Sequence, residues 1–98
     1  MDRDNILALL KRNRSSFELL GVKRIGLFGS RVAGTPGSGS DIDILVEFEK
    51  GRKTFDNYMD LKARLEGMFA GYAVDLVIQD TLKPGLRAHV LSDVQYAS

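Results

Sequence analysis

The absence of cysteine in a chain of only 98 residues restricts what this sequence can fold into. Neither disulfides nor thiolate-bound zinc can stabilise such a chain, so a hydrophobic core has to do so. A chain of this length buries roughly two thirds of its surface on folding. We therefore expect one modest core and a single domain spanning residues 1–98. An eight-stranded α/β barrel or a full dinucleotide-binding fold needs a longer chain.

Composition and charge exclude several classes of partner. Hydrophobic residues make up 44% of the chain and charged residues 28%, which is typical of a globular domain. The formal net charge is only +1, so we expect no direct, stable binding of nucleic acid. No segment approaches the 18 or so apolar residues of a membrane span. Together with the lack of cysteine, these features favour a cytoplasmic location.

Hydrophobic periodicity predicts a succession of helices and strands. Residues 4–20 have near-helical spacing and predict two short helices or one kinked helix, and residues 54–69 predict a longer helix capped by Thr54. Residues 23–28, 41–48 and 72–78 predict three strands. We also expect a very short helix at residues 30–33, a loop at 34–40 and a last helix from Pro84. This order of elements is that of a small α/β (α+β) protein.

The segment 41–48 alternates apolar and acidic residues, so its two faces differ in chemistry. Asp41 and Asp43 project from the same face. Two carboxylates about 5 Å apart repel each other by roughly 3 kcal/mol at an effective dielectric constant near 20. A divalent cation that prefers oxygen ligands, such as magnesium, would relieve this repulsion. The alternative is a pair of carboxylates that are simply exposed to solvent.

Asp75 interrupts the apolar segment 72–78, where we expect it to be buried and to need a partner. If the second and third strands are neighbours, Asp75 lies beside Asp41 and Asp43 on one face of the sheet. Three carboxylates that hold two metal ions are typical of phosphoryl or nucleotidyl transfer. The alternative is that Asp75 pairs with an arginine such as Arg24.

Gly29 and Ser30 lie where the first strand gives way to a helix. Backbone N–H groups at such a position can bind an anion such as phosphate. The alternative is a tight turn in which Ser30 merely caps the helix. A P-loop is excluded, because Gly29 and Gly34 have its spacing but Thr35 follows in place of lysine.

Taken together, these motifs resemble those of a known family. Gly29 and Ser30, then ten intervening residues, then Asp41-x-Asp43 and later Asp75 alone in a strand, resemble the signature of the DNA polymerase beta superfamily of nucleotidyltransferases. The similarity is greatest to its minimal nucleotidyltransferases and extends from about residue 5 to residue 95. The resemblance implies a small mixed sheet flanked by helices.

The resemblance also implies a ligand set for the three aspartates. Two magnesium ions and ATP, a nucleoside triphosphate, would be bound. Asp41 and Asp43 would hold the ion bound to the triphosphate. Asp75 would share the second ion and help to deprotonate the acceptor hydroxyl.

Four further residues match the family at positions near the triphosphate. Gly29 and Ser30 would hold the triphosphate, and Arg31 would neutralise phosphate charge. Ser40 matches a residue that is frequent in the family. For Arg31, exposure to solvent on a short helix is an equal alternative.

Minimal nucleotidyltransferases are typically encoded beside HEPN-domain toxins, and some members transfer AMP onto a tyrosine of that toxin. The resemblance therefore implies an antitoxin that transfers AMP from ATP to a HEPN partner. One alternative is an antitoxin that neutralises its partner by binding alone. Another is nucleotidyl transfer to the hydroxyl of a small molecule.

Overall fold

The structure is a computed structural model that describes residues 2–29 and 41–97. The helices and strands within these residues follow the predicted alternation. In chain order they are α1 Arg3–Arg12, α2 Arg14–Leu19, β1 Val22–Phe28, β2 Ile42–Phe48, α3 Phe55–Met68, β3 Val74–Ile78, a 3-10 turn Gln79–Thr81, α4 Pro84–Asp93 and β4 Gln95–Tyr96. No helix in the described residues is long and apolar enough to cross a membrane.

The four strands form one mixed sheet in the order β3-β2-β1-β4. β1 pairs antiparallel with β2 and with β4, whereas β2 and β3 run parallel. Since β2 and β3 run in the same direction and β1 runs in the opposite direction, β2 and β3 begin at the end of the sheet where β1 ends. The predicted class, a small mixed sheet flanked by helices, is confirmed.

One face of the sheet carries the hydrophobic core. Ile42, Ile44 and Val46 of β2 are fully buried there, together with Leu27 of β1. Helices α1, α2 and α3 supply the other side of this core; the residues that they bury are Ile6, Leu10, Phe17, Leu61 and Leu65. The alternation of segment 41–48 thus assigns Asp43 and Glu47 to the opposite face, as predicted.

The predicted helices that fall within the described residues are present, but the predicted packing of one of them is partly wrong. Residues 4–20 form two helices rather than one kinked helix. Thr54 caps α3, where its hydroxyl accepts a hydrogen bond from the Asn57 N–H at 3.1 Å. We predicted that the whole apolar stripe of α3 packs in the core, but Phe55 is 77% and Met59 43% exposed. Both lie in the first half of the helix, whereas the buried residues Leu61 and Leu65 follow them.

The sequence pattern did not predict β4, which is only two residues long. It pairs with β1 at Gly26 and Leu27. A Cβ at Gly26 would lie 2.8 Å from the Gln95 carbonyl oxygen, so only glycine permits this approach. Pro84 begins α4 as predicted, but α4 contains no buried residue. The expected helix at 30–33 and loop at 34–40 lie outside the described residues.

Leu65→Ala tests the core face. We expect this change to lower the free energy of unfolding by about 2–5 kcal/mol, because Leu65 is fully buried and its loss leaves a cavity. Met59→Ala on the same helix is the matched control and should cost less than about 1 kcal/mol. Urea denaturation of both variants measures the difference, and equal losses would contradict this description of the core.

Candidate active site

Two aspartates face each other across neighbouring strands. Asp43 is the second residue of β2 and Asp75 the second residue of β3, and the parallel register places them side by side. The Ile42 N–H donates a hydrogen bond to the Ala73 carbonyl oxygen at 2.8 Å, which fixes this register where the strands begin. Asp41 directly precedes β2. The condition on which the sequence argument depended, that the second and third strands are neighbours, is therefore met.

The burial of these carboxylates differs from the prediction for Asp75. Asp43 is half-buried, whereas Asp41 and Asp75 are exposed. Asp75 is exposed because β3 is an edge strand and because α1, α2 and α3 pack against the opposite face of the sheet. An apolar segment around a residue predicts burial of the strand, but it does not say which face of the strand is covered.

Arg24 is not the partner of Asp75. Its guanidinium binds Glu47, with Nη2 at 2.8 Å and Nε at 2.9 Å from Oε1. It also lies over the ring of Tyr96, 4.5 Å from the ring centroid. The alternative in which Asp75 forms an ion pair with Arg24 is therefore wrong.

Asp43 is an aspartate of this site whose pKa is shifted. Burial raises the pKa of its carboxyl group, and the charges of Asp75 and Asp41 raise it further. All three causes penalise the ionised form of Asp43. A bound cation would remove the repulsion among the three carboxylates.

Gly29 makes room for the Asp43 carboxylate. Its backbone has a φ of +81°, a conformation that favours glycine. A Cβ at this position would overlap Asp43 Oδ2 and would lie 3.1 Å from Cγ. From the sequence, we expected Gly29 to let a phosphate approach the backbone closely. The structure shows a further reason for glycine at this position. The carboxylate itself occupies the space beside its Cα.

Three of the predicted site residues, Ser30, Arg31 and Ser40, lie outside the described residues. Their contribution to a phosphate site stays a prediction. Gly29 connects β1 to this segment, and Asp41 follows it directly. Gly29 and Asp41, the described residues on either side, both lie at the end of the sheet that carries Asp43 and Asp75, called here the carboxylate edge.

The carboxylates suit a hard divalent cation. Magnesium usually takes one or two carboxylates together with waters and phosphate oxygens of a substrate. In residues 2–29 and 41–97, no three acidic or histidine side chains already converge as a metal site. Waters, with or without phosphate oxygens of a substrate, would therefore have to complete the coordination of an ion held by these aspartates. The donor set therefore fits magnesium.

Comparisons with known proteins identify the family of the chain. A family model described as "Polymerase beta, Nucleotidyltransferase" matches residues 5–95. The protein adenylyltransferase MntA of Thermococcus cleftensis is 42% identical over 79 residues, which are 81% of this chain and 78% of that protein. The family resemblance inferred from the motifs is thus confirmed.

Solved structures agree with the fold. A chain described as a minimal nucleotidyltransferase is 37% identical, has a TM-score of 0.82, and the match covers 97% of this chain and 95% of that one. A toxin-antitoxin crystal structure with AMP-PNP contains a chain that is 26% identical, with a TM-score of 0.69. That match covers 100% of this chain and 73% of the other.

Gly29→Ala tests the space beside Asp43. We expect it to abolish the increase in Tm that MgCl2 causes, because the new methyl group displaces the carboxylate. Gly51→Ala is the matched control, since Gly51 also has a positive φ of 79° but nothing lies within 4 Å of its would-be Cβ. Both variants should carry the backbone cost of roughly 1–2 kcal/mol. Retention of the magnesium effect in Gly29→Ala would contradict the described geometry.

Asp43→Asn tests the repulsion. The pKa of Asp43 is higher in the folded protein than in the unfolded chain. Its ionisation therefore destabilises the fold progressively as pH rises from the unfolded to the folded pKa. In EDTA at pH 7 the variant should therefore melt at a higher temperature than the wild type, by roughly 4–8 °C per kcal/mol relieved. The difference should shrink as pH falls towards about 4, the unfolded pKa of an aspartate, and should be absent below it. An unchanged or lower Tm at pH 7 would contradict the repulsion.

Proposed function

Because the chain belongs to the polymerase beta family of nucleotidyltransferases, we propose that it transfers AMP from ATP to a tyrosine hydroxyl of a HEPN toxin. It thereby acts as the antitoxin of that partner. The observation that carries the proposal is the pairing of Asp43 with Asp75 across parallel strands, with Gly29 against the Asp43 carboxylate. The name of the Thermococcus cleftensis relative supports a protein as the acceptor. The toxin-antitoxin structure with AMP-PNP supports both a nucleotide and a toxin.

The transfer is a displacement at the α-phosphorus of ATP. The tyrosine oxygen forms a bond to that phosphorus, and the bond from the phosphorus to the bridging oxygen of the β-phosphate breaks. Pyrophosphate leaves, and the phenolic proton passes to the Asp75 carboxylate. Asp75 is exposed at an edge strand, so an acceptor carried by another protein can approach it.

Magnesium is the proposed metal cofactor, with two ions at the site. When bound, it neutralises the phosphates and stabilises the charge that develops on the attacking and leaving oxygens. Asp41 and Asp43 would hold the ion that accompanies the triphosphate, and Asp75 would share the second. Asp43 is the register partner of Asp75 and lies two residues from Asp41, so it would be able to contribute to both ions.

The triphosphate lies on the chain between Gly29 and Asp41 in this proposal. Gly29 and Ser30 offer backbone N–H groups and a hydroxyl to the phosphates. Arg31 neutralises phosphate charge, and Ser40 adds a hydroxyl next to Asp41. A single domain over residues 1–98 is part of the proposal. So is a cytoplasmic location, because the donor ATP is abundant there.

A labelling experiment tests the function. The protein is incubated with the HEPN toxin encoded beside it, MgCl2 and ATP labelled at the α-phosphate. We expect label on the toxin, and we expect Asp43→Asn or Asp75→Asn to lower the rate by about 100-fold or more. Asp60→Asn is the matched control, since Asp60 is an exposed aspartate on α3. It should label the toxin at the wild-type rate.

The outcomes separate catalysis from binding. Wild-type labelling by Asp75→Asn would show that the carboxylate edge is not the active site. Neutralisation of the toxin without any label would support an antitoxin that acts by occlusion. Label on a small hydroxyl compound and none on the toxin would support the small-molecule alternative.

A further inference from the structure

Three side chains stand side by side on three strands at the carboxylate edge. Phe28, the last residue of β1, is the register partner of Asp43, which is in turn the partner of Asp75. Phe28 shares the face of Asp43, because its neighbour Leu27 is buried in the core on the opposite face. Directly opposed residues of antiparallel strands have Cβ atoms about 4.5–5.5 Å apart. The Phe28 and Asp43 side chains therefore start as neighbours on the same face of the sheet.

Within the described residues, Asp43 has a neighbour on each side. On β3, the like charge of Asp75 repels its carboxylate. On β1, Phe28 is the residue directly opposite in the register. Asp43 Oδ2 lies beside the Cα of Gly29, the residue that follows Phe28.

The chemistry of phenylalanine suits this position. Its ring cannot donate a strong hydrogen bond, and it carries no charge that would neutralise a carboxylate. It adds apolar surface beside Asp43, in agreement with burial as the largest cause of the raised pKa of that residue. Phe28 therefore engages neither oxygen of the Asp43 carboxylate in a hydrogen bond or ion pair, so it does not compete with a cation.

We propose that Phe28 is a positioning residue, whose ring holds the Asp43 carboxylate against Gly29 in the orientation that binds magnesium. Phe28 is half-buried and belongs to the sheet itself rather than to a loop. Its place is therefore fixed by the pairing of β1 with β2. The inference rests on the proposed function, since it takes Asp43 as a magnesium ligand.

Two measurements test this role in the full chain. The first is the increase in Tm caused by MgCl2 alone, and the second is the MgCl2 concentration that gives half-maximal labelling of the toxin. For Phe28→Ala we expect a requirement for magnesium about 10-fold or more above that of the wild type. The rate at saturating magnesium should change much less, because a positioning residue does not contact the reacting atoms. A merely structural role would not separate these two quantities.

Further variants guard against loss of the fold. Phe28→Leu keeps an apolar side chain without the planar ring and should also raise the magnesium requirement. Phe28→Tyr keeps the ring and should restore the wild-type requirement. Phe55→Ala is the matched control, because Phe55 is 77% exposed on α3 and lies outside the site. It should leave both measurements unchanged.

Each outcome decides the inference. A wild-type magnesium requirement in both Phe28→Ala and Phe28→Leu would overturn it, and so would an equal effect of Phe55→Ala. If MgCl2 raises the wild-type Tm but no toxin is labelled, the proposed function fails. The role of Phe28 is then tested only by comparing the MgCl2-induced increase in Tm of its variants with that of the wild type. If MgCl2 leaves the wild-type Tm unchanged, the inference is overturned even when the toxin is labelled.

Discussion

The parallel pairing of β2 with β3 is the constraint on which the site depends. It places Asp43 and Asp75 side by side at the edge where both strands begin. The like charges of these two carboxylates oppose the pairing of the strands. The pairing persists because the same strands bury Ile42 and Ile44, as well as Val74 and Leu76, on their other face. Burial of these apolar side chains offsets the repulsion of the carboxylates.

The two faces of the sheet differ: one carries the hydrophobic core, and the other carries the candidate site. Helices α1, α2 and α3 pack against one face and supply the core. The opposite face at the edge of β3 is uncovered, so Asp75 is exposed. This exposure is what a transfer to another protein requires, because the acceptor hydroxyl has to reach the carboxylates from outside the chain. Asp43 is better shielded, and its burial together with the neighbouring carboxylates raises its pKa.

β1 contributes to the site without an acidic residue. Gly29 leaves open the space that the Asp43 carboxylate fills, and Phe28 stands directly opposite Asp43 in the register. The far end of β1 carries Arg24, whose guanidinium joins Glu47 of β2 to the ring of Tyr96 in β4. β1 is thus held on both sides by strands, which fixes the position of Phe28 and Gly29 relative to Asp43.

The sequence by itself predicted the main helices and the three longer strands as well as the two-faced character of segment 41–48, and it singled out the three aspartates as candidates. These features depend on local periodicity and on motif spacing, which are properties of neighbouring residues along the chain. Only the tertiary structure decided that Asp75 is exposed, that Arg24 binds Glu47, and that a two-residue strand completes the sheet. It also decided that Gly29 and Phe28 flank Asp43. Such facts depend on which strands are neighbours and which face the helices cover, and no local pattern in the sequence encodes either.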